Sequence, residues 1–238
     1  KYLIKSKQHI DYLIDNISTT EHGKGWGQPW EWVTPSGIVP SKNPVITNTA
    51  YCFDAIDKFS NIDNHKFYNQ IMRDVSEFAK LELVGDKISD DQEDAIYGYN
   101  FSAKAYNAIA YRASLLLRSN NLFKNDTYKK VALKNLNYII ANQNDDGSWF
   151  YSQTSYYIDN IHTCFVLKNL IKAYHMFQSD KIINSINKGY SFYINNFIRK
   201  KGTLKHFAKI RYPKFRKIEL YDYAEAINLE IEMNSLRK

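Results

Sequence analysis

Asp159 and His162 are the side chains in this sequence best suited to chemistry. They stand three residues apart in YIDNIHTCFVLKNL, where a polar stretch turns into an apolar periodic one. Residues three apart on a helix share a face, so both side chains can reach the same space. A carboxylate beside an imidazole orients the ring and fixes its tautomer for general acid–base work. The same spacing suits an N-cap, in which Asp159 accepts a backbone amide at the helix start. The two roles are compatible. Trp149, Phe150, Tyr151, Tyr156 and Tyr157 lie just upstream, and a helix N-terminus also attracts anionic groups.

A second dense spot is GWGQPWEW, residues 25–32. There Trp26 and Trp30 with Glu31 read as an aromatic platform beside a carboxylate for a sugar ring, or as packing of the loop itself. Tyr99, in GYNF, and Tyr157 are placed as further binding residues, and Asp145 and Asp146 as turn residues. Glu93 and Asp94 supply a second carboxylate or belong to a solvated loop. Basic residues concentrate in 199–217, where His206, Arg211 and Tyr212 are placed to meet an acidic sugar, unless the stretch is a solvated loop. Ser-His-Asp, glycine-rich phosphate and His/Cys metal spacings are absent from the sequence, so no metal and no cofactor is expected.

The chain has 238 residues, 44% hydrophobic and 24% charged, which fits one domain, 1–238, with a sizeable core. Its 19 Tyr, 13 Phe and 4 Trp suit wet cavities and ring stacking, and a codon bias would give the same excess. The net charge of +7 is moderate and no nucleic-acid module is legible, so nucleic acid is set aside. No run of 18 apolar residues exists, so no membrane span is expected. Cys52 and Cys164 fall inside apolar helical patterns, which reads as two buried thiols and a reducing, cytoplasmic setting.

These residues need helices to hold them. Apolar spacing of i, i+3, i+4, i+7 predicts eight, marked by Leu3–Ile17, Ala50–Phe59, Phe67–Phe78, Ile109–Leu117, Val131–Ile140, Phe165–Tyr174, Ile182–Ile194 and Tyr223–Ile231. Short connections alternate with the long ones at 18–46, 81–102, 143–160 and 199–220, the pattern of stacked helical hairpins. Aligning the helices that follow long loops registers Thr49, Tyr106, His162 and Tyr221, separated by 57, 56 and 59 residues. All four are expected at one rim of a ring, facing a cavity shared with Trp26 or Trp30. The predicted fold is all-α: an α/α toroid, an incomplete barrel of about four hairpins, since six would need roughly 330 residues.

Two resemblances attach to these segments. Tyr138-Ile139, Gln143, Gly147 and Trp149 resemble the QW repeat of triterpene cyclases, where the pair ties a helix end to the next turn. The cyclase Asp-x-Asp-Asp motif is missing. More broadly, GWGQPWEW with PVITNTA, YNAIAYRASLL, NQNDDGSWFY with YIDNIHTCFVLKNL, and YDYAEAI resemble, in that order, α/α-toroid proteins of bacterial and archaeal lipopolysaccharide and capsule gene clusters. Many members carry His where this chain has Tyr106 and Tyr221, and members usually have one or two further N-terminal hairpins. The resemblance implies a carbohydrate-active or carbohydrate-binding protein of surface-polysaccharide metabolism, with a glycan or sugar-containing molecule as partner. A hydrolase, lyase or epimerase on an acidic or amino sugar is the expected activity. A non-catalytic glycan- or protein-binding scaffold and an isoprenoid-handling toroid are the alternatives. On this reading Asp159 and His162 are catalytic; Trp26, Trp30, Glu31, Tyr99, Tyr106, Tyr157, Tyr221 and Arg211 bind substrate.

Overall fold

A computed structural model describes residues 2–63, 66–210 and 219–237. The helices are α1 (Tyr2–Asp15), α2 (Ile46–Ser60), α3 (Lys66–Leu81), α4 (Tyr106–Phe123), α5 (Asp126–Ala141), α6 (Asn160–Met176), α7 (Asp180–Phe197) and α8 (Leu220–Ser235). The long connections carry short strands: β1 (Ser18–Thr19), β2 (Lys24–Gly25), β3 (Trp32–Thr34), β4 (Gly37–Val39), β5 (Val84–Lys87), β6 (Glu93–Ala95), β7 (Ile158–Asp159) and β8 (Phe207–Lys209). They pair as four antiparallel two-stranded ribbons, β1–β2, β3–β4, β5–β6 and β7–β8. Strands this short carry no periodicity of their own and are not legible from residue spacing.

Four helices make an inner row. α4 packs against α2 on one side and α6 on the other, and α6 carries α8. The side chains in register along the row show that its helices run the same way. Tyr51, Tyr111 and Phe165 are each the sixth residue of their helices. The Tyr111 hydroxyl donates to the Tyr51 hydroxyl at 3.0 Å, and the Tyr111 ring lies 5.5 Å from Phe165. About two turns deeper, Arg118 of α4 donates through Nε and Nη2 to Asp57 of α2 at 2.6 and 2.9 Å. Lys172 of α6 pairs with Asp54 of α2, and Lys168 of α6 with Glu225 of α8. Thr49, Tyr106, His162 and Tyr221 therefore all sit at the starts of parallel inner helices, as their registration predicted. The fold is an α/α toroid.

Burial explains the sequences of the row. α4 and α6 are enclosed on most sides, and accordingly are buried nearly all round, polar residues included. Most of the polar groups they bury are bonded, Asn107 of α4 being an exception. Ser114 donates to Asn169 Oδ1 at 2.6 Å, and Arg112, fully buried, donates to the carbonyls of Ala79 and Lys80, to Asn135 Oδ1 and to Glu93. One guanidinium thus joins α3, α4, α5 and β6.

The turn after α5 is locked. Gln143 Nε2 donates to the carbonyls of Gly147 and Ser185, and its Oε1 accepts from the Ser185 hydroxyl. Trp149 is 3% exposed, its indole N–H donating to the Ile139 carbonyl at 2.9 Å. Gly147 has φ +92° and sits so close to α7 that a Cβ would lie 2.4 Å from the Lys188 carbonyl oxygen.

Both end helices depart from expectation. Only Ile10 of α1 is buried, while Tyr2, Leu3, Ile4 and Tyr12 are exposed. In α8 the core face is Asp222, Glu225, Ala226, Leu229 and Met233, and the predicted Ile227 and Ile231 face solvent. An end helix of an open arc has a neighbour on one side only, so apolar periodicity does not say which stripe is covered.

Candidate functional site

Asp159 is extended (φ −119°, ψ 164°) and ends β7, so its side chain turns back over the first turn of α6. One oxygen accepts the His162 backbone N–H at 2.8 Å, and the carboxylate also accepts His162 Nδ1 at 2.7 and 2.9 Å. The N-cap and the imidazole partner are the same group. Nδ1 carries the proton in this geometry, which leaves Nε2 as the basic nitrogen. Nε2 makes no hydrogen bond among the described residues, and the His162 side chain is 32% exposed. Burial works to raise the Asp159 pKa. The His162 ring, the hydrogen bonds from His162 and the nearby His206 outweigh it, and the carboxyl lies below its ordinary value.

Aromatic edges hold the imidazole upright. Tyr151 meets it edge-on at 4.7 Å, Phe165 at 5.9 Å and Tyr157 at 6.4 Å. Tyr151 and Tyr157 stack at 4.9 Å with planes 14° apart, and Phe207 of β8 stands edge-on to Tyr157. The β7–β8 pairing, Asp159 opposite Phe207, lays the last long loop against the start of α6. A second Asp–His pair lies behind it: His206 Nδ1 meets Asp222 Oδ1 at 2.8 Å. Asn160 joins the two, its Nδ2 donating to Asp222 and its backbone N–H to the His206 carbonyl.

Two spaces open here. A void of about 10 Å³ is lined by Tyr106, Asn107, Tyr151, Asp159, His162 and Thr163, with Trp149, Phe150 and Val166 completing the wall. A larger cleft of about 330 Å³ shares Tyr106 and Tyr151 with it and opens between Ser102–Ala105 and the hydroxyl-rich run Ser152–Ser155, over Tyr138. Two tyrosines are thus the partition between the cleft and the imidazole.

The other predicted residues scatter. Tyr106 joins the site, its hydroxyl donating to Asn142 Oδ1 at 3.1 Å, and Tyr157 joins it through the stack. Tyr221, half-exposed, is one ring removed, 6.4 Å from Phe165. The expected shared cavity with the tryptophans does not form. Trp26 is buried, its indole N–H bound to the Leu13 carbonyl and its backbone to Thr49, which makes it a core residue. Trp30 is 60% exposed and Glu31 is exposed, and neither lines the void or the cleft. Tyr99 lines a separate cleft with Glu21 and His22, its carbonyl held by Asn43. Arg211 and Tyr212 lie outside the described residues. Glu93 and Asp94 serve the fold: Glu93 accepts from Arg112, and Asp94 pairs with Lys104 at 2.7 Å. Asn107 lines the void and is not among the predicted site residues. The registration held a signal for Asn107, since it follows Tyr106 as Thr163 follows His162, and both line the void. Among the described residues no cluster of three or more His, Cys, Asp or Glu is placed to hold a metal ion, and no helix is long and apolar enough to cross a membrane.

No protein-family model matches the chain, and no curated protein matches its sequence. Solved structures do match it. The cellobiose 2-epimerase of Spirochaeta thermophila superposes with TM-score 0.69 at 11% identity, over 99% of this chain and 65% of that one. An α-mannanase of glycoside hydrolase family 76 from Bacteroides thetaiotaomicron gives 0.63 at 10% identity, over 87% and 60%. A possible member of glycoside hydrolase family 105 from Salmonella enterica serovar Paratyphi A gives 0.62 at 15% identity, over 99% and 66%. The chain shares its fold with carbohydrate-active toroids. It spans less than two thirds of the length of each of these three, and at such identities the likeness is one of fold alone.

Proposed function

We propose that the chain binds and acts on a sugar of surface-polysaccharide metabolism, acidic or amino, with His162 as the acid–base residue and Asp159 as its orienting partner. The observation that carries this reading is the imidazole itself: Nδ1 held by a carboxylate, Nε2 unengaged, and the ring at the rim where the inner helices begin. Tyr106 and Tyr157 flank the sugar, Tyr221 extends the platform, and Arg211, Trp30 and Glu31 are further binding residues. Among hydrolase, lyase and epimerase, the lining favours proton transfer at carbon. Glycoside hydrolysis commonly uses two carboxyl groups roughly 5–10 Å apart. The void's lining contains one carboxylate, Asp159, and it is spent on His162. That charge also argues against an isoprenoid occupant.

The test is incubation of the protein with cellobiose, N-acetylglucosamine and glucuronate oligosaccharides in deuterated water. Deuterium entering a sugar C–H position, lost in His162→Gln by roughly 10²–10⁴-fold, is the expected result. Saturation-transfer spectra showing no sugar contact would overturn the reading. The non-catalytic glycan scaffold has one observation in its favour, the side chains filling the space at His162 down to about 10 Å³. Binding that persists in His162→Gln, with no deuterium exchange in the wild type, would select it.

A further inference from the structure

Asn107 is a residue of this site whose chemistry is left over, as is His206 Nε2 behind it. It is the second residue of α4 and is 2% exposed. Among the described residues neither its Nδ2 nor its Oδ1 has a hydrogen-bond partner. Every other polar side chain lining the void, with Tyr151 the exception, is engaged: Tyr106 with Asn142, Asp159 with His162, and Thr163 with the Asp159 carbonyl at 2.6 Å. A buried amide with no partner costs stability, and folded proteins rarely keep one without a use.

We propose that Asn107 is the ligand-recognising residue beside His162, and that it selects a neutral sugar group rather than a carboxylate. The inference rests on the sugar reading above and narrows it. A carboxamide offers one acceptor and an NH₂ donor side by side. Its complement is a group that both donates and accepts, such as a ring hydroxyl or an acetamido substituent. A uronate carboxylate only accepts, and would meet the Asp159 anion in the same wall. Among the described residues no Lys or Arg lines the void, and Lys209, 4.8 Å from the centre of the Phe150 ring, is not among the lining residues. The α6 N-terminus, which would otherwise draw an anion, is already capped by Asp159. The void admits about one water-sized group, so a sugar substituent enters as the stacked Tyr151 and Tyr157 rings move aside.

Asn107→Leu separates a ligand role from a structural one. The amide has nothing to lose inside the protein, so this variant is expected to melt at or above the wild-type temperature. A markedly lower melting temperature would mean that the amide has a partner in the folded protein, and would overturn the proposal. Binding is read by saturation-transfer NMR with N-acetylglucosamine, methyl glucoside and glucuronate. The wild type is expected to bind one or both neutral sugars, the pair distinguishing acetamido from hydroxyl recognition, and Asn107→Leu to bind at least about tenfold more weakly. Preferential binding of glucuronate, or equal binding by Asn107→Leu, sinks this inference and leaves the sugar reading standing. A wild type that binds no sugar removes both.

Discussion

At the scale of single residues, the site depends on one carboxylate doing two jobs. Asp159 caps α6 and holds His162, so Asp159→Asn should keep much of the cap while weakening the base. Kinetics would then show a fall in turnover larger than the fall in melting temperature. Equal losses in both would reduce the pair to a structural contact. The pH dependence has a definite sign. The folded carboxyl lies below its ordinary value of 3.8, so its contribution is fully present above that pH and is lost as pH falls through the lower folded value. Acid titration of the wild type against Asp159→Asn should show the wild type losing its advantage in that window, and parallel curves would contradict the assignment. Asp159 and His162 were legible because spacing alone places them. For Asn107 registration holds only its place at the rim; that its amide lacks a partner is revealed by packing alone.

At the scale of elements, the loops are pinned to helices by a few side chains that sequence partly disclosed. Trp149 fits against Gly189 of α7 so closely that a Cβ there would lie 2.6 Å from the indole. Trp149→Ala should cost about 3–5 kcal/mol by thermal or denaturant unfolding, the range for a large core aromatic. An unchanged midpoint would return Trp149 to the ligand-facing residues. Arg112→Ala leaves Glu93 and two helix-end carbonyls without their donor, and should cost about 3–5 kcal/mol in the same measurement. The Gln143–Trp149 turn could be anticipated because its residues bond locally. Trp26 was misjudged from the same composition: whether an indole faces a ligand or a core depends on a contact with Leu13 that no spacing rule encodes.

At the scale of the whole molecule, the alternation of long and short loops gave the toroid, and registration gave its rim. What lies beyond local periodicity was hidden, namely which face of α1 and α8 is covered and which loop reaches which helix. The loop bearing His206 and Phe207 crosses to the start of α6 by β7–β8 pairing, a contact between segments almost fifty residues apart.

The Asp54–Lys172 pair, joining α2 to α6 past α4, has a kinetic consequence. In a stack held only by adjacent contacts, terminal units fray one at a time, and their amide protons exchange in graded order. A tie that skips a helix couples opening at the start of the arc to opening near its end. Amides of α2 and α6 should therefore exchange through a common event, slower than those of α1. Lys172→Met should split that event, speeding α2 while α5 keeps its protection. Exchange of α2 unchanged by that substitution would show that the pair transmits nothing. The arc would then open one hairpin at a time.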